Sequence, residues 1–249
     1  MAWRQSSFNR DFGATSIAGE LSVAVSGNDV LTGSVICGYV WWSDTTTNMT
    51  GITDSQGNTV TVLDNPTTDT VNRAAMFYIQ NASSGVHTLT ASFSTGPSEQ
   101  QIYVEERTGL LTSGVLDQHV MNGQGSEGPG TDDLTSTAKT TVASGEDIVG
   151  ITKAQFASTP TPSTGFTQRF NAAGSGNLTA EDKVQSSSGS IAATFSAGDN
   201  DNWITGMMTF KASGGGGTNL TPTIGSATLT GTQSVVGRGI ITRSMIQGT

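Results

Sequence analysis

The run Val35–Trp42, VICGYVWW, limits the possible folds of this chain more than any other stretch. It holds no charged residue and is rich in the β-branched and aromatic side chains that suit a pleated surface. Alternate positions give Val35, Cys37, Tyr39 and Trp41 on one face and Ile36, Gly38, Val40 and Trp42 on the other. Both faces are apolar, so the run reads as a strand covered on two sides. It is too short to cross a bilayer as a helix. Gly27-Asn28-Asp29 supplies the turn before it.

The remainder follows the same pattern. Leu21–Val25, Ala74–Gln80, Val86–Phe93, Gln101–Glu106, Gly165–Phe170, Leu178–Val184 and Trp203–Lys211 read as strands. Met49–Leu63 reads as a hairpin about Asp54–Asn58, with Gly57 supplying positive φ. Only 12% of the residues are charged, and 32 are glycine, which suits turn-rich β-structure and argues against helical bundles. The glycines at 109, 114, 123, 125, 128 and 130 mark residues 107–133 as a long loop. The expected fold is all-β: a two-sheet antiparallel β-sandwich or jelly roll with an extended C-terminal arm.

The first half also echoes in the second. Asn28–Leu31 resembles Glu146–Val149, Gly85–Phe93 resembles Gly189–Phe195, and Gln101–Val104 resembles Asn202–Thr205, in the same order. A duplication, or two halves under the same demands, accounts for this. Each half looks short of strands to close its own core, which favours one two-sheet domain.

Four segments result. Residues 1–20 are an N-terminal arm or an edge segment, with Trp3, Phe8 and Phe12 among polar residues. Residues 21–212 are the sandwich. Residues 213–217 are a glycine-rich tether. Residues 218–249 form an apolar arm carrying Leu220, Ile224, Leu229, Val235, Ile240, Ile241 and Ile246. These are too many apolar side chains for a solvated tail and too few for a separate core. Together with Trp3, Phe8 and Phe12 they are the expected assembly contacts.

Site chemistry is sparse. The net charge is −9 and no Lys/Arg cluster occurs, so neither nucleic acid nor an anionic membrane surface is an expected partner. Cys37, the only cysteine, reads as a small buried hydrophobe. The histidines are His87, on an apolar strand face, and His119, in the long loop; neither sits in a catalytic or zinc pattern. The acidic pairs Glu105/Glu106, Asp132/Asp133 and Glu181/Asp182 read as solvent-facing. No catalytic centre and no cofactor are expected. Asp54 and Asn58, and separately Asp199 and Asp201, are minor calcium candidates, although neither set completes an EF-hand loop. Trp41, Trp42, Trp203 and Tyr103 form the aromatic pool for a carbohydrate platform, but most should be core.

The string Ile52–Thr59, ITDSQGNT, followed by RAAMFYIQNASSGVHTLTASF and later by QRF and EDKV, is similar to a β-sandwich domain of phage virion and bacterial surface proteins. Those motifs are turn and core patterns over about residues 20–212, so they imply a fold and no catalytic residue. The glycine tether and the segment LTPTIGSATLTG look like phage structural modules. The resemblance implies a non-enzymatic capsid decoration, or cement, protein. Its partner would be the major capsid protein or another virion protein, and it would form a homo-oligomer, a trimer by preference. The expected location is the virion, after synthesis in the host cytoplasm, in keeping with an N-terminus that lacks an apolar leader. The alternative is a glycan- or receptor-binding sandwich on a phage tail or fibre or a bacterial surface.

Overall fold

In the computed structural model, the described residues are 1–11, 19–25, 28–125, 132–155, 159–172, 177–198 and 202–214. The chain divides into two compact units, Met1–Gly216 and Gly217–Thr249. The second lies outside the described residues, as do Phe12 and every arm residue from Leu220 to Ile246.

The described part is all-β, with no helix among the described residues, and its sheets are antiparallel. The first half contributes β1 (Ala2–Asp11), β2 (Glu20–Ala24), β3 (Val35–Trp42), β4 (Met49–Asp54), β5 (Thr61–Thr68), β6 (Arg73–Ile79), β7 (Thr88–Phe93) and β8 (Gln100–Thr108). The second contributes β9 (Leu116–Gln124), β10 (Asp132–Thr135), β11 (Lys139–Thr140), β12 (Glu146–Ala154), β13 (Thr161–Pro162), β14 (Thr167–Asn171), β15 (Leu178–Gln185), β16 (Ser190–Ile191), β17 (Thr194–Ala197) and β18 (Trp203–Phe210).

The first half forms a sheet of order β1-β8-β3-β6-β5 beneath a smaller sheet β2-β7-β4. The second forms β9-β18-β12-β15-β14 beneath β10-β17-β13, with β11-β16 as an added pair. Once β11 and β16 are set aside, the two halves match strand for strand in chain order. Each has the order of an eight-stranded jelly roll with its fifth strand carried by the larger sheet. The echo in the sequence is therefore an echo in topology. Each half also closes a core of its own, because the short strands β10, β13 and β17 supply the cover that the sequence pattern hid.

Three cores result. Ile36, Val40, Trp42, Phe77 and Ile102 pack under β2, β4 and β7. Ile148, Trp203 and Met207 pack under Leu134 and Phe195. Between the two five-stranded sheets lie Val35, Cys37, Tyr39, Trp41, Met76 and Tyr103 from one half and Val149, Ile151, Ala180, Ile204, Met208 and Phe210 from the other. This explains why β3 is apolar on both faces: one face belongs to its own sandwich, the other to the seam. All eight of its residues are buried.

Across the seam the pairing is swapped. Phe8 of β1 meets Phe170 of β14, with ring centroids 5.2 Å apart. Lys153 of β12 lies 4.3 Å over the Trp41 ring of β3. Tyr78 of β6 meets Phe210 of β18 at 6.1 Å. A Cβ on Gly123 of β9 would fall 2.3 Å from the Thr68 carbonyl oxygen of β5. Since β9 corresponds to β1 and β14 to β5, each half presents the same face to the other, as in an isologous dimer.

Two expectations are corrected, and one open alternative is resolved. Residues 107–133 are not one long loop, because β9 runs through them. Gly123 is there for the close approach of Thr68 and breaks nothing, while the positive φ of Gly109 and Gly114 marks turns. Met49–Leu63 is not a hairpin. β4 pairs with β7 and β5 with β6, so the Asp54–Gly57 turn carries the chain from one sheet of the sandwich to the other. Residues 2–11 take the edge-segment alternative, as β1 hydrogen-bonds along β8.

Candidate functional site

The charged residues that matter come from the ends of strands that are otherwise apolar. Strand alternation sends Glu105 and Arg107 of β8 into the seam and Glu106 to the opposite face. The expectation that Glu105, Glu106, Glu181 and Asp182 face solvent is overturned: all four are buried. Asp133 is exposed, and Asp132 lies on β10. Burial of this kind is tolerated because the charges are paired or hydrogen-bonded.

Arg107, fully buried, is the centre of the seam cluster. Its Nε donates to Asp147 Oδ2 at 2.8 Å and its Nη2 to Asp147 Oδ1 at 2.7 Å. The same Nη2 lies 2.7 Å from Asp182 Oδ2, and Arg169 Nε lies 2.8 Å from Asp182 Oδ1. One guanidinium of the first half thus holds two carboxylates of the second. Burial pushes the Asp147 carboxyl up, against the pull of Arg107. Burial likewise raises Glu105, opposed by Arg107 and by the Tyr103 hydroxyl, which donates to Glu105 Oε2 at 2.7 Å. Cys37 lies 3.7 Å from Glu105 Oε1, and burial, then the Glu105 charge, pushes its thiol well above the ordinary range. A thiol held protonated in this way is a poor nucleophile.

On the other face of β8, Glu106 Oε1 accepts the Leu31 N–H at 2.8 Å and the Ser34 hydroxyl at 2.7 Å. Its Oε2 accepts from Gln5 at 2.6 Å and from Arg4. These donors outweigh the burial that would raise it and hold the carboxyl below its usual value. Glu106 therefore ties β1 and the loop before β3 to β8.

In the second sandwich Glu181 is buried against Gly150 and Ala193. Burial pushes its carboxyl up to about 8, although the Thr194 and Ser163 N–H groups favour the anion. Its Oε2 has no hydrogen-bond partner. Glu146 is also raised, chiefly by burial, with Asp117 adding to the effect.

Both histidines are paired with aspartate. His87 Nδ1 is 2.9 Å from Asp54 Oδ1, and its Nε2 is 2.9 Å from the Ser83 carbonyl. With both ring nitrogens occupied and no exposure, His87 fastens a turn and has no route to a substrate. Asp54 Oδ2 accepts from the Asn58 amide at 2.6 Å and Asn58 Oδ1 accepts the Ser83 N–H at 3.2 Å, so the oxygens of the first calcium candidates are spent on Asn58, His87 and Ser83. Asp199 and Asp201 lie outside the described residues. No group of three or more His, Cys, Asp or Glu side chains suited to a metal occurs among the described residues. His119 sits on β9, not in a loop, and its Nδ1 is 2.8 Å from Asp64 Oδ2 on β5, at the open edge of the seam.

Of the aromatic pool, Trp41, Trp42, Trp203 and Tyr103 are all buried. Trp42 Nε1 donates to the Thr47 carbonyl at 3.0 Å. None offers a stacking platform. The expected assembly contacts Trp3 and Phe8 are engaged within the chain, Phe8 against Phe170 and Trp3 beneath the Arg169 guanidinium at 5.5 Å.

One cleft stands at the charged end of the seam. It has a volume of about 400 Å³ and is walled by Trp3 of β1, Thr167 and Arg169 of β14, and Asp182 and Lys183 of β15, with Asp147 of β12 in its lining. A sequence signal existed for the charged cluster behind it, though not for the cleft itself. In a chain this poor in charge, three strands each carry an adjacent acidic pair (Glu105-Glu106, Glu146-Asp147, Glu181-Asp182) and two of those pairs run straight into a basic residue. Comparison with protein-family models, with curated proteins and with solved structures finds no match to this chain.

Proposed function

We propose that the chain is a non-enzymatic assembly protein: a rigid double sandwich that carries an attachment segment, acting as a decoration protein on a virion shell. The observation that carries this reading is the run Gly214–Gly217 followed by a segment with many aliphatic residues and no acidic one. Consecutive glycines impose almost no direction on the segment attached to them. An apolar segment on such a tether gains cover by adding to a partner's sheet edge, which satisfies backbone and side chains together.

The body supports the reading by how it spends its reactive groups. His87, Glu105, Glu106, Arg107 and Asp147 are each consumed in bonds that hold strands together, and Cys37 is sealed in the seam. A general acid or base needs reach to a substrate proton, and these groups have none.

The experiment is co-sedimentation with shell particles. The full chain is expected to pellet with them, and a chain ending at Gly214 to remain in the supernatant while keeping its circular dichroism spectrum. Full occupancy by the shortened chain would refute the reading. So would hydrolase activity on glycans, peptides or esters that a single change at His119 abolishes.

A further inference from the structure

The cleft at the end of the seam has a property that the proposed function does not use. The two carboxylates in its lining, Asp147 and Asp182, are both already held by Arg107 behind them. Arg169 Nε lies 2.8 Å from Asp182 Oδ1 as an ion pair without a hydrogen bond, and its terminal Nη groups have no partner among the described residues. Lys183 lies 5.4 Å over the Phe166 ring and is likewise without an ion pair among the described residues. Two side-chain cations with unspent donors therefore line one concavity in a protein of net charge −9.

Arg169 is also preorganised. Its guanidinium lies over Trp3 with the Asp182 carboxylate beside Nε, so the planar group is placed from two sides while its outer edge stays open. That edge is the fork that takes a carboxylate through two parallel hydrogen bonds. A volume of about 400 Å³ is much more than a bare carboxylate fills and lies within the range of small-ligand sites. The lining mixes the apolar residues Trp3 and Val184 with Thr167 and Gly165. Such a wall suits a ring with one apolar face and several hydroxyls.

We infer that this cleft binds an acidic monosaccharide, a uronic or sialic acid unit, with its carboxylate on Arg169 and Lys183 and its ring between Trp3 and Thr167. The site is independent of the C-terminal segment and stands or falls apart from the assembly role.

The test is titration of the full chain with D-glucuronate and, separately, N-acetylneuraminate, D-glucose and sodium acetate. The readout is the Trp3 indole N–H resonance, assigned with Trp3→Phe. The expected result is a saturable change in that resonance with at least one acidic sugar and none with glucose, weakened at least tenfold in Arg169→Gln. Lys183→Gln, which breaks no ion pair, is expected to weaken binding severalfold with the fold intact, so the inference can be tested even if Arg169→Gln is unstable. No change with either acidic sugar would overturn it. Acetate acting as strongly as the sugars would also overturn it, by reducing the cleft to a bare anion site. An unchanged affinity in Lys183→Gln together with Arg169→Gln would do the same.

Discussion

Arg107 and Glu181 show two opposite ways in which this protein keeps a buried charge group. Arg107 is matched by Asp147 and Asp182 across the seam. Replacing it with methionine leaves Asp147 buried without its partner and Asp182 with Arg169 alone, a change that costs roughly 3–5 kcal/mol. Urea denaturation of Arg107→Met checks this, and a loss below about 1 kcal/mol would mean the cluster is not a structural centre. Glu181 is unmatched and kept neutral. Its carboxyl titrates at about 8 in the folded protein against an ordinary value of 4.5. In the unfolded chain it ionises first, so its contribution to stability is full below pH 4.5, falls as pH rises, and is gone by about pH 8. At ~1.4 kcal/mol for each pH unit between the two values, the effect amounts to several kcal/mol. Glu181→Gln should therefore be more stable than the parent at pH 8 and should flatten the decline between pH 5 and 8. Parallel stability–pH curves for the two proteins would contradict this.

At the scale of elements, β3 is the strand on which the layers depend. Val40 points into the first core and is fully buried, so Val40→Asp is expected to cost more than 3 kcal/mol or to prevent folding, measured by thermal melting. β9 is the subtler case. Gly123→Ala would drive a Cβ into the Thr68 backbone and force β9 away from β5, at a cost of about 1–3 kcal/mol. An unchanged melting temperature would mean the two edges do not touch.

These two strands also mark what the sequence can reveal. Apolar alternation locates β3, β6, β7, β8, β15 and β18, because each buries most of at least one face. β9 is hidden, since its glycine resembles a breaker and its polar residues give no alternation. β10, β13 and β17 have two to four residues each, too few to show a period. The cleft is invisible for a different reason. Trp3, Arg169 and Lys183 are brought together by strand pairing and by the seam, and nothing in their spacing encodes that meeting.

For the molecule as a whole, the duplicated topology explains an economy of design. Each half buries one face of its large sheet under its own small sheet and the other face against its counterpart. The seam behaves like a dimer interface held within one chain, with the Arg107 cluster at one end and the His119–Asp64 pair at its open edge. Such a body is complete by Gly214, where β18 has already been tied back by Lys211 N–H to the Val115 carbonyl at 2.8 Å and Ser213 N–H to the Gly109 carbonyl at 2.9 Å.

Sedimentation velocity and thermal melting of the full chain beside a chain ending at Gly214 test this most directly. The account predicts melting temperatures within about 2 °C of each other, an oligomer for the full chain and a monomer for the shortened one. A shortened chain that is unfolded, or one that keeps the oligomeric mass of the parent, would contradict it.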